Sequence, residues 1–249
     1  MFGVGWRFFN FCLIRQNTVG DQYFVHRPHL TDRHLQDIVR ILNLIKGRYL
    51  DKYRVCSPDA FKLRHENLEI FPGDMTCEGD VHRACIGVSE VICVAGGPVY
   101  QWSRYPFGFM SAFVGYLIDG MRKAGVKRLV YQAGRVNPFA GEDMTLFNRV
   151  LRGALARCIG IKGNEQDNDS VIDRLMQARD LDWTVTRPNY MMGQSLSKQP
   201  LISCVNKLPP FHSFILSFKD VGYWTVRVAY DESLIHTFPA RQKSLPAAI

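Results

Sequence analysis

The chain contains 249 residues with a formal net charge of +8, and it is 47% hydrophobic and 22% charged. This length and composition are typical of one globular domain with a sizeable core. No run of about eighteen apolar residues occurs, which argues against a transmembrane helix. The basic residues are scattered without a long tract, which argues against nucleic acid as a partner.

The seven cysteines argue against a metal site and against a disulfide framework. They form no CxxC pair and no Cys/His spacing of the metal-binding kind, and most of them lie in apolar segments. An odd number of buried thiols is typical of a reducing compartment. We therefore expect a cytoplasmic protein with free thiols and no bound metal.

The N-terminal segment, residues 1–30, has two interpretations. Its first twenty residues contain Arg7 and Arg15 but no acidic residue, a composition that is compatible with a mitochondrial presequence. The stretch WRFFNFCLI (6–14) indicates instead an edge strand. The patterns downstream predict one domain over residues 31–249.

Helix-period and strand-like segments alternate from residue 31 onward. The first predicted elements are a helix over 31–47, strands at KYRV (52–55) and LEIF (68–71), a short helix at GDVHRACIG (79–87) and a buried strand at EVICVA (90–95). A second clear helix carries Phe113, Leu117 and Met121 on one face, and Gly125 ends it.

The predicted elements after this helix are a strand VKRLVY (126–131), a polar loop CIGIKGNEQDND (158–169), a helix DSVIDRLMQARD (169–180), a strand WTVTR (183–187), a segment FILSF (214–218), a helix DVGYWTVRVAYD (220–231) and a last short strand LIHTF (234–238). Strand, helix and strand in this order form parallel crossovers. We therefore predict a single α/β domain with a Rossmann-type, doubly wound, mostly parallel sheet.

Small residues follow two neighbouring strands of this predicted sheet. One strand ends in VAGGPV (94–99) and the next in VYQAGR (130–135). Ligands of doubly wound sheets bind outside the carboxyl ends of the strands, where small side chains let a phosphate reach the backbone N–H groups. A plain Gly-Gly-Pro turn is the alternative for each strand end taken singly.

A resemblance rests on ENLEIFPGDMTCEGDVHRACIGVSEVICVAGG, MRKAGVKRLVYQAG and ARDLDWTVTRPNY, together with FILSFKDVGYWTVRVAYDE near the end. These segments resemble the atypical short-chain dehydrogenase/reductase families. In particular, they are similar to the NAD(P)-binding group that includes NmrA-like proteins and reductases of the biliverdin reductase B, or flavin reductase, type.

The resemblance implies a set of cofactor-binding positions at the strand ends. Asp74 and Met75 would lie near the adenine, and Arg187, Pro188, Asn189 and Tyr190 would lie by the nicotinamide. The adenosine and the pyrophosphate would be faced by Ala95, Gly96 and Gly97. The nicotinamide ribose would be faced by Gln132, Ala133 and Gly134. The alternatives are a turn or capping role for Asp74 and a surface ion pair for Arg187.

The sequence departs from this family at its phosphate loop and at its catalytic groups. The GxxGxxG turn is absent, since residues 15–32 contain Gly20 alone. No YxxxK pair occurs, and Gly134 occupies the position where relatives place a Ser. Tyr131 and Tyr190 could donate a proton or serve as packing aromatics, so the catalytic residues are left unassigned.

The cofactor preference depends on the region after the second strand. NADP-preferring relatives carry an Arg there, and this chain offers Arg54, Cys56 and Ser57. An acidic residue at this strand end would indicate NAD, and this strand end has none. We therefore favour NADP over NAD.

The resemblance implies an NAD(P)H-dependent reductase that passes a hydride to a small, flat aromatic electrophile such as a flavin, a quinone or a tetrapyrrole. An NmrA-like NAD(P)-sensing regulatory or assembly protein without turnover is the alternative. An aromatic loop would supply a stacking wall or a hydrophobic clamp; it comprises Tyr100, Trp102, Tyr105, Phe107 and Phe109. RNA binding through the basic surface is the weakest of the hypotheses.

Overall fold

The structure is a computed structural model. It describes residues 11–14, 75–94, 108–133, 150, 162–188, 190–191, 201–204 and 215–243, of which 11–14, 162–166, 190–191, 201–204, 215, 218–219 and 241–243 are described by their backbone only. The predicted helix over 31–47, the strands KYRV and LEIF, and residues 100–107 of the aromatic loop lie outside these ranges.

The described elements, in chain order, are β1 (Phe11–Ile14), α1 (Glu78–Cys85), β2 (Glu90–Cys93), α2 (Phe109–Ala124), β3 (Arg128–Gln132), α3 (Lys162–Gln177), β4 (Asp182–Thr186), β5 (Tyr190–Met191), β6 (Leu201–Cys204), β7 (Ile215–Leu216), α4 (Phe218–Ala229), a 3₁₀ turn (Glu232–Leu234) and β8 (Ala240–Lys243). Helices and strands thus alternate from α1 to β4, as the sequence pattern predicts.

The central sheet has the strand order β1-β2-β3-β4. β2, β3 and β4 are parallel neighbours, with Val91 opposite Leu129 and Leu129 opposite Trp183. β1 pairs with β2 in the antiparallel sense at the edge of this sheet. The parallel α/β fold is confirmed, and within the described residues 11–14 the edge-strand interpretation of the N-terminal segment is confirmed too.

Helices cover both faces of the sheet because alternate strand residues point to opposite sides. Val91, Leu129 and Val185 pack in one apolar cluster with residues of α1, α2 and α3. Ile92 and Val130 face the other way and pack against Trp224 and its neighbours on α4. The sheet is therefore buried on both faces, which is the condition for a parallel sheet.

α2 is bounded by a glycine at each end. Gly108 precedes it with a φ of 81°, and Gly125 follows it with a φ of 73°. The Gly125 N–H donates to the carbonyl of Arg122, and the Val126 N–H donates to that of Met121. These bonds close the last turn in the manner of a glycine C-cap, as the sequence predicts.

Two predictions about single elements are wrong. The polar stretch over 158–169 is predicted as a loop, but α3 begins at Lys162. Gly, Asn and Asp have low helix propensity, and tertiary contacts override it here, as described for Asp167 below.

The stretch LIHTF is predicted as a strand, but a 3₁₀ turn ends at Leu234 and His236 has a left-handed φ of 58°. The Asp231 side chain accepts a hydrogen bond from the Ser233 N–H and thereby closes that turn. The backbone then runs beside β4, since His236 N donates to Trp183 O at 2.7 Å and Val185 N to Thr237 O at 3.0 Å. The last strand, β8, begins only at Ala240.

Candidate functional site

The carboxyl ends of β3 and β4 lie side by side. The Ala133 N–H, just beyond β3, donates to the carbonyl oxygen of Thr186 at 2.9 Å. The Thr186 hydroxyl in turn donates to the carbonyl oxygen of Tyr131 at 3.3 Å. These bonds extend the pairing of the two strands to the edge of the sheet where ligands of doubly wound folds bind.

Arg187 lies directly beyond β4 and its side chain is fully buried. Its Nη2 donates to the carbonyl oxygen of Phe238 at 3.2 Å, and its backbone N–H donates to that of Pro239 at 3.0 Å. The surface ion-pair interpretation of Arg187 is therefore wrong. The guanidinium supports the end of β4 from inside the protein, and the adjoining Pro188 is buried as well.

The structure describes a subset of the other predicted cofactor positions. Met75 is buried in the apolar cluster on the α1 side, so its side chain is a core group. Gln132 is half-buried at the end of β3, and Ala133 is buried. Tyr190 is described by its backbone, as the first residue of β5. The remaining predicted positions lie outside the described residues: Asp74, Ala95, Gly96, Gly97, Gly134 and Asn189.

Tyr131 is a core residue. Its ring is 1% exposed and packs in the cluster between the sheet and the helices α1 to α3. Burial, followed by the neighbouring Cys93 and Asp167, raises the pKa of its phenol well above 10.0. A buried phenol of this kind holds its proton, so the packing-aromatic interpretation applies to Tyr131.

Asp167 is a polar residue of this region that the sequence reasoning missed. Its carboxylate is buried and accepts hydrogen bonds from two backbone N–H groups of α2, those of Met110 at 2.8 Å and Ser111 at 2.9 Å. A signal for it exists in the sequence. Asp167 lies four and eight residues before Val171 and Leu175, and so on the apolar face of α3, where an acidic residue requires a partner.

The described residues contain no group of His, Cys, Asp and Glu that could hold a metal ion. Among the cysteines that the structure describes, Cys77, Cys85 and Cys93 form no disulfide bond. Burial raises the pKa of the Cys85 thiol to about 12, so this thiol is an inert core group. In the same part of the chain, no helix is long and apolar enough to cross a membrane.

Several solved structures share the fold. An oxidoreductase, ylbE, from Lactococcus lactis is 11% identical with a TM-score of 0.56, over 74% of this chain and 76% of that one. A candidate epimerase from Bacteroides thetaiotaomicron is 18% identical with a TM-score of 0.61, over 78% and 85%. A wide-type short-chain dehydrogenase/reductase from Veillonella parvula, in complex with NADP, is 13% identical with a TM-score of 0.54, over 75% and 76%.

The family is established by sequence. No curated protein matches the chain. A family model described as NAD(P)H-binding matches residues 54–232, which include β2, β3 and β4 and the crossovers between them. This is well over half of the chain, and the parallel sheet agrees with it. The chain therefore belongs to the NAD(P)H-binding family.

Proposed function

We propose that the protein is an NAD(P)H-dependent reductase of the atypical short-chain type, related to the NmrA-like and biliverdin reductase B-like groups. The observation that carries the proposal is the junction of β3 and β4, where the Ala133 N–H meets the Thr186 carbonyl at the ligand edge of a family that binds NAD(P)H. The small side chain of Ala133 fits a nicotinamide ribose laid against the backbone at this point.

Each group of predicted positions would hold a different part of the cofactor. Gln132, Ala133 and Gly134 would hold the nicotinamide ribose, and the segment 187–190 would hold the nicotinamide ring, with the buried Arg187 fixing the backbone of that segment from behind. The adenine would lie at Asp74 and the backbone of Met75, whose side chain packs in the core, and the adenosine with the pyrophosphate at residues 95–97. When bound, the reduced nicotinamide supplies a hydride.

The acceptor is a small, flat aromatic electrophile of the flavin, quinone or tetrapyrrole class. Reduction of a quinone takes one hydride from the cofactor and one proton, and it gives a hydroquinone and the oxidised cofactor. The proton would come from water or from the Tyr190 phenol, because Tyr131 is buried and Gly134 has no hydroxyl. The chain's main contribution would thus be orientation of the two rings.

NADP is the preferred cofactor in this proposal. The region after the second predicted strand offers Arg54 and Ser57 for a 2′-phosphate, and the net charge of +8 favours the more anionic dinucleotide. Titrations with NADPH and NADH in parallel compare the two directly.

An NAD(P)-sensing protein without turnover is the second candidate, and two observations favour it. Residues 15–32 lack the GxxGxxG loop, whose backbone N–H groups bind the pyrophosphate, and Gly134 stands where relatives place a Ser. The family match begins at residue 54, after this region. Such a protein would bind the dinucleotide and respond to it without transferring a hydride.

The test is a titration of the full chain with each dinucleotide, followed by Trp fluorescence; Trp183 and Trp224 are both buried near the sheet. We expect NADPH to bind, and Gln132→Ala to weaken binding about 2- to 12-fold, as for one lost hydrogen bond. Gln177→Ala, an exposed glutamine at the end of α3, is the matched control and should leave the Kd unchanged.

Turnover then separates the two candidates. Oxidation of NADPH in the presence of a flavin or quinone supports the reductase. Binding without oxidation supports the sensor. Absence of binding at millimolar concentrations of both dinucleotides contradicts both.

A further inference from the structure

β1 occupies the position in the sheet where dinucleotide-binding folds place the strand of the phosphate loop. β2, β3 and β4 lie side by side in chain order, as the strands in the second half of a doubly wound sheet do. In such a sheet the other neighbour of β2 is the strand whose following turn carries the glycine-rich loop. Here that neighbour is β1.

β1 runs in the opposite direction to the strand whose position it takes. Phe11 pairs with Cys93, the last residue of β2, and Ile14 pairs with Glu90, the first. The chain therefore leaves β1 at the amino edge of the sheet. This point is three residue steps, or about 10 Å, from the carboxyl edge, where a phosphate loop has to turn.

Two observations on the sequence agree with this direction. Residues 15–32, which follow β1, contain Gly20 alone and no GxxGxxG pattern. The match to the NAD(P)H-binding family begins at residue 54, so β1 lies outside it. The strand beside β2 therefore supplies no glycine-rich turn to a pyrophosphate at the ligand edge.

The junction of β3 and β4, in contrast, keeps the arrangement of a doubly wound sheet. The two strands are parallel, and the Ala133 N–H donates to the Thr186 carbonyl at 2.9 Å. On the other side of β4, the Arg187 N–H donates to the Pro239 carbonyl at 3.0 Å. The part of the ligand edge proposed for the nicotinamide is thus held from both sides.

We propose that the protein holds its cofactor chiefly through the nicotinamide mononucleotide half, so that reduced nicotinamide mononucleotide is itself a ligand. This rests on the proposed function, which assigns the nicotinamide to the junction of β3 and β4. The pyrophosphate would then meet residues 95–97 after β2 without a second loop beside them. The direction of β1, on which the proposal depends, is tested without any cofactor.

The direction is tested by a cross-link to Cys93 in the full chain, refolded under oxidising conditions in a Cys12→Ser background. We expect Phe11→Cys to form a disulfide with Cys93, because paired Cα atoms of antiparallel strands are about 4.5–5.5 Å apart, within the span of a disulfide. Ile14→Cys, at the other end of β1, is the matched control and should form none. Peptide mapping identifies the bond, and any other pattern in the two variants overturns the proposal.

The consequence for binding is tested with NADH and reduced nicotinamide mononucleotide, each titrated against the full chain by Trp fluorescence. NADH lacks the 2′-phosphate of NADPH, so the two ligands differ only by adenosine monophosphate. One hydrogen bond to a charged group contributes about 10- to 150-fold to affinity, and two from a phosphate loop would separate the two Kd values by at least about 100-fold. We expect them to differ by less than about tenfold.

A larger ratio overturns the proposal, and so does a protein that binds NADPH but neither of these two ligands. Failure of the reductase function is seen separately. A ratio below about tenfold, with no oxidation of either ligand by a flavin or quinone, contradicts the reductase and supports the proposal. Absence of binding by NADPH, NADH and the mononucleotide contradicts both.

Discussion

Arg128 anchors the C-terminal end of α4 from the first residue of β3. Its guanidinium donates to the carbonyl oxygens of Ala229 at 2.8 Å and Val228 at 2.6 Å, and to the Thr184 hydroxyl at 2.8 Å. Burial lowers the pKa of this guanidinium. The charge of Glu90, which lies opposite Arg128 on β2, acts against that shift. A cation at this position also matches the negative end of the helix dipole.

We expect Arg128→Met to lower the free energy of unfolding by about 3 kcal/mol, because it leaves buried carbonyl oxygens without donors. Arg227→Ala, an exposed arginine in the last turn of α4, is the control and should cost about 0.5 kcal/mol or less. Urea unfolding followed by circular dichroism measures both. A loss below about 1 kcal/mol in Arg128→Met would show that the desolvation cost of the guanidinium cancels its bonds.

The two residues that define the candidate site differ in how well their neighbours could be predicted. The small side chain of Ala133 and its place at a strand end follow from local sequence. The burial of Arg187 does not, because its partner carbonyl belongs to Phe238, 51 residues away. A lone arginine in a sequence is usually read as exposed, since burial of a charge requires partners that only the fold supplies.

α1 and α2 approach each other closely at Gly120. A Cβ placed on Gly120 would lie 2.9 Å from His82 Cδ2 and 3.1 Å from His82 Cα. The second of these atoms is backbone and cannot move aside without shifting α1. Gly115, on the same helix, would place its Cβ 3.5 Å from the Arg174 guanidinium, an ordinary contact distance.

Gly120→Ala and Gly115→Ala should therefore have opposite effects. Alanine gains about 1 kcal/mol over glycine in a helix interior, and overpacking costs about 1–3 kcal/mol. We expect Gly120→Ala to destabilise the protein and Gly115→Ala to leave it unchanged or more stable by up to about 1 kcal/mol. Thermal unfolding of the pair decides the matter, and equal stabilisation by both would contradict the close approach of the two helices.

At the scale of the whole molecule, an ion pair joins the two crossover units of the sheet. Arg122, near the end of α2, donates from Nε to Asp180 Oδ2 at 2.8 Å and from Nη2 to Oδ1 at 2.7 Å. Asp180 lies in the turn between α3 and β4. The hydrogen bond from Arg122 lowers the pKa of this carboxyl from 3.8 to about 2.

This pair makes a contribution to stability that depends on pH. Because the pKa is lower in the folded state, the contribution is complete above pH 3.8 and is lost as pH falls from there toward about 2. The free energy of unfolding of Asp180→Asn should therefore approach that of the unsubstituted protein over this range. Both side chains are exposed, so the difference should also shrink in high salt.

Unfolding curves at several pH values and two salt concentrations measure this difference. Asp119→Asn provides the comparison, since Asp119 meets the same arginine at a longer 3.5 Å. A difference for Asp180→Asn that stays constant down to pH 2 would contradict the assignment.

Sequence alone determined the alternation of helices and strands, the parallel crossovers and the family, because apolar periodicity and local motifs are written in short stretches of chain. Only the tertiary structure decided that α3 begins among polar residues, that Asp167 caps α2, and that the segment beginning at His236 runs beside β4. Each of these depends on a hydrogen-bond partner about fifty residues away. The strand ends of the candidate site show the same difference. The small residues after β3 are visible in the sequence, whereas their alignment with Thr186 and Arg187 exists only once the strands pair.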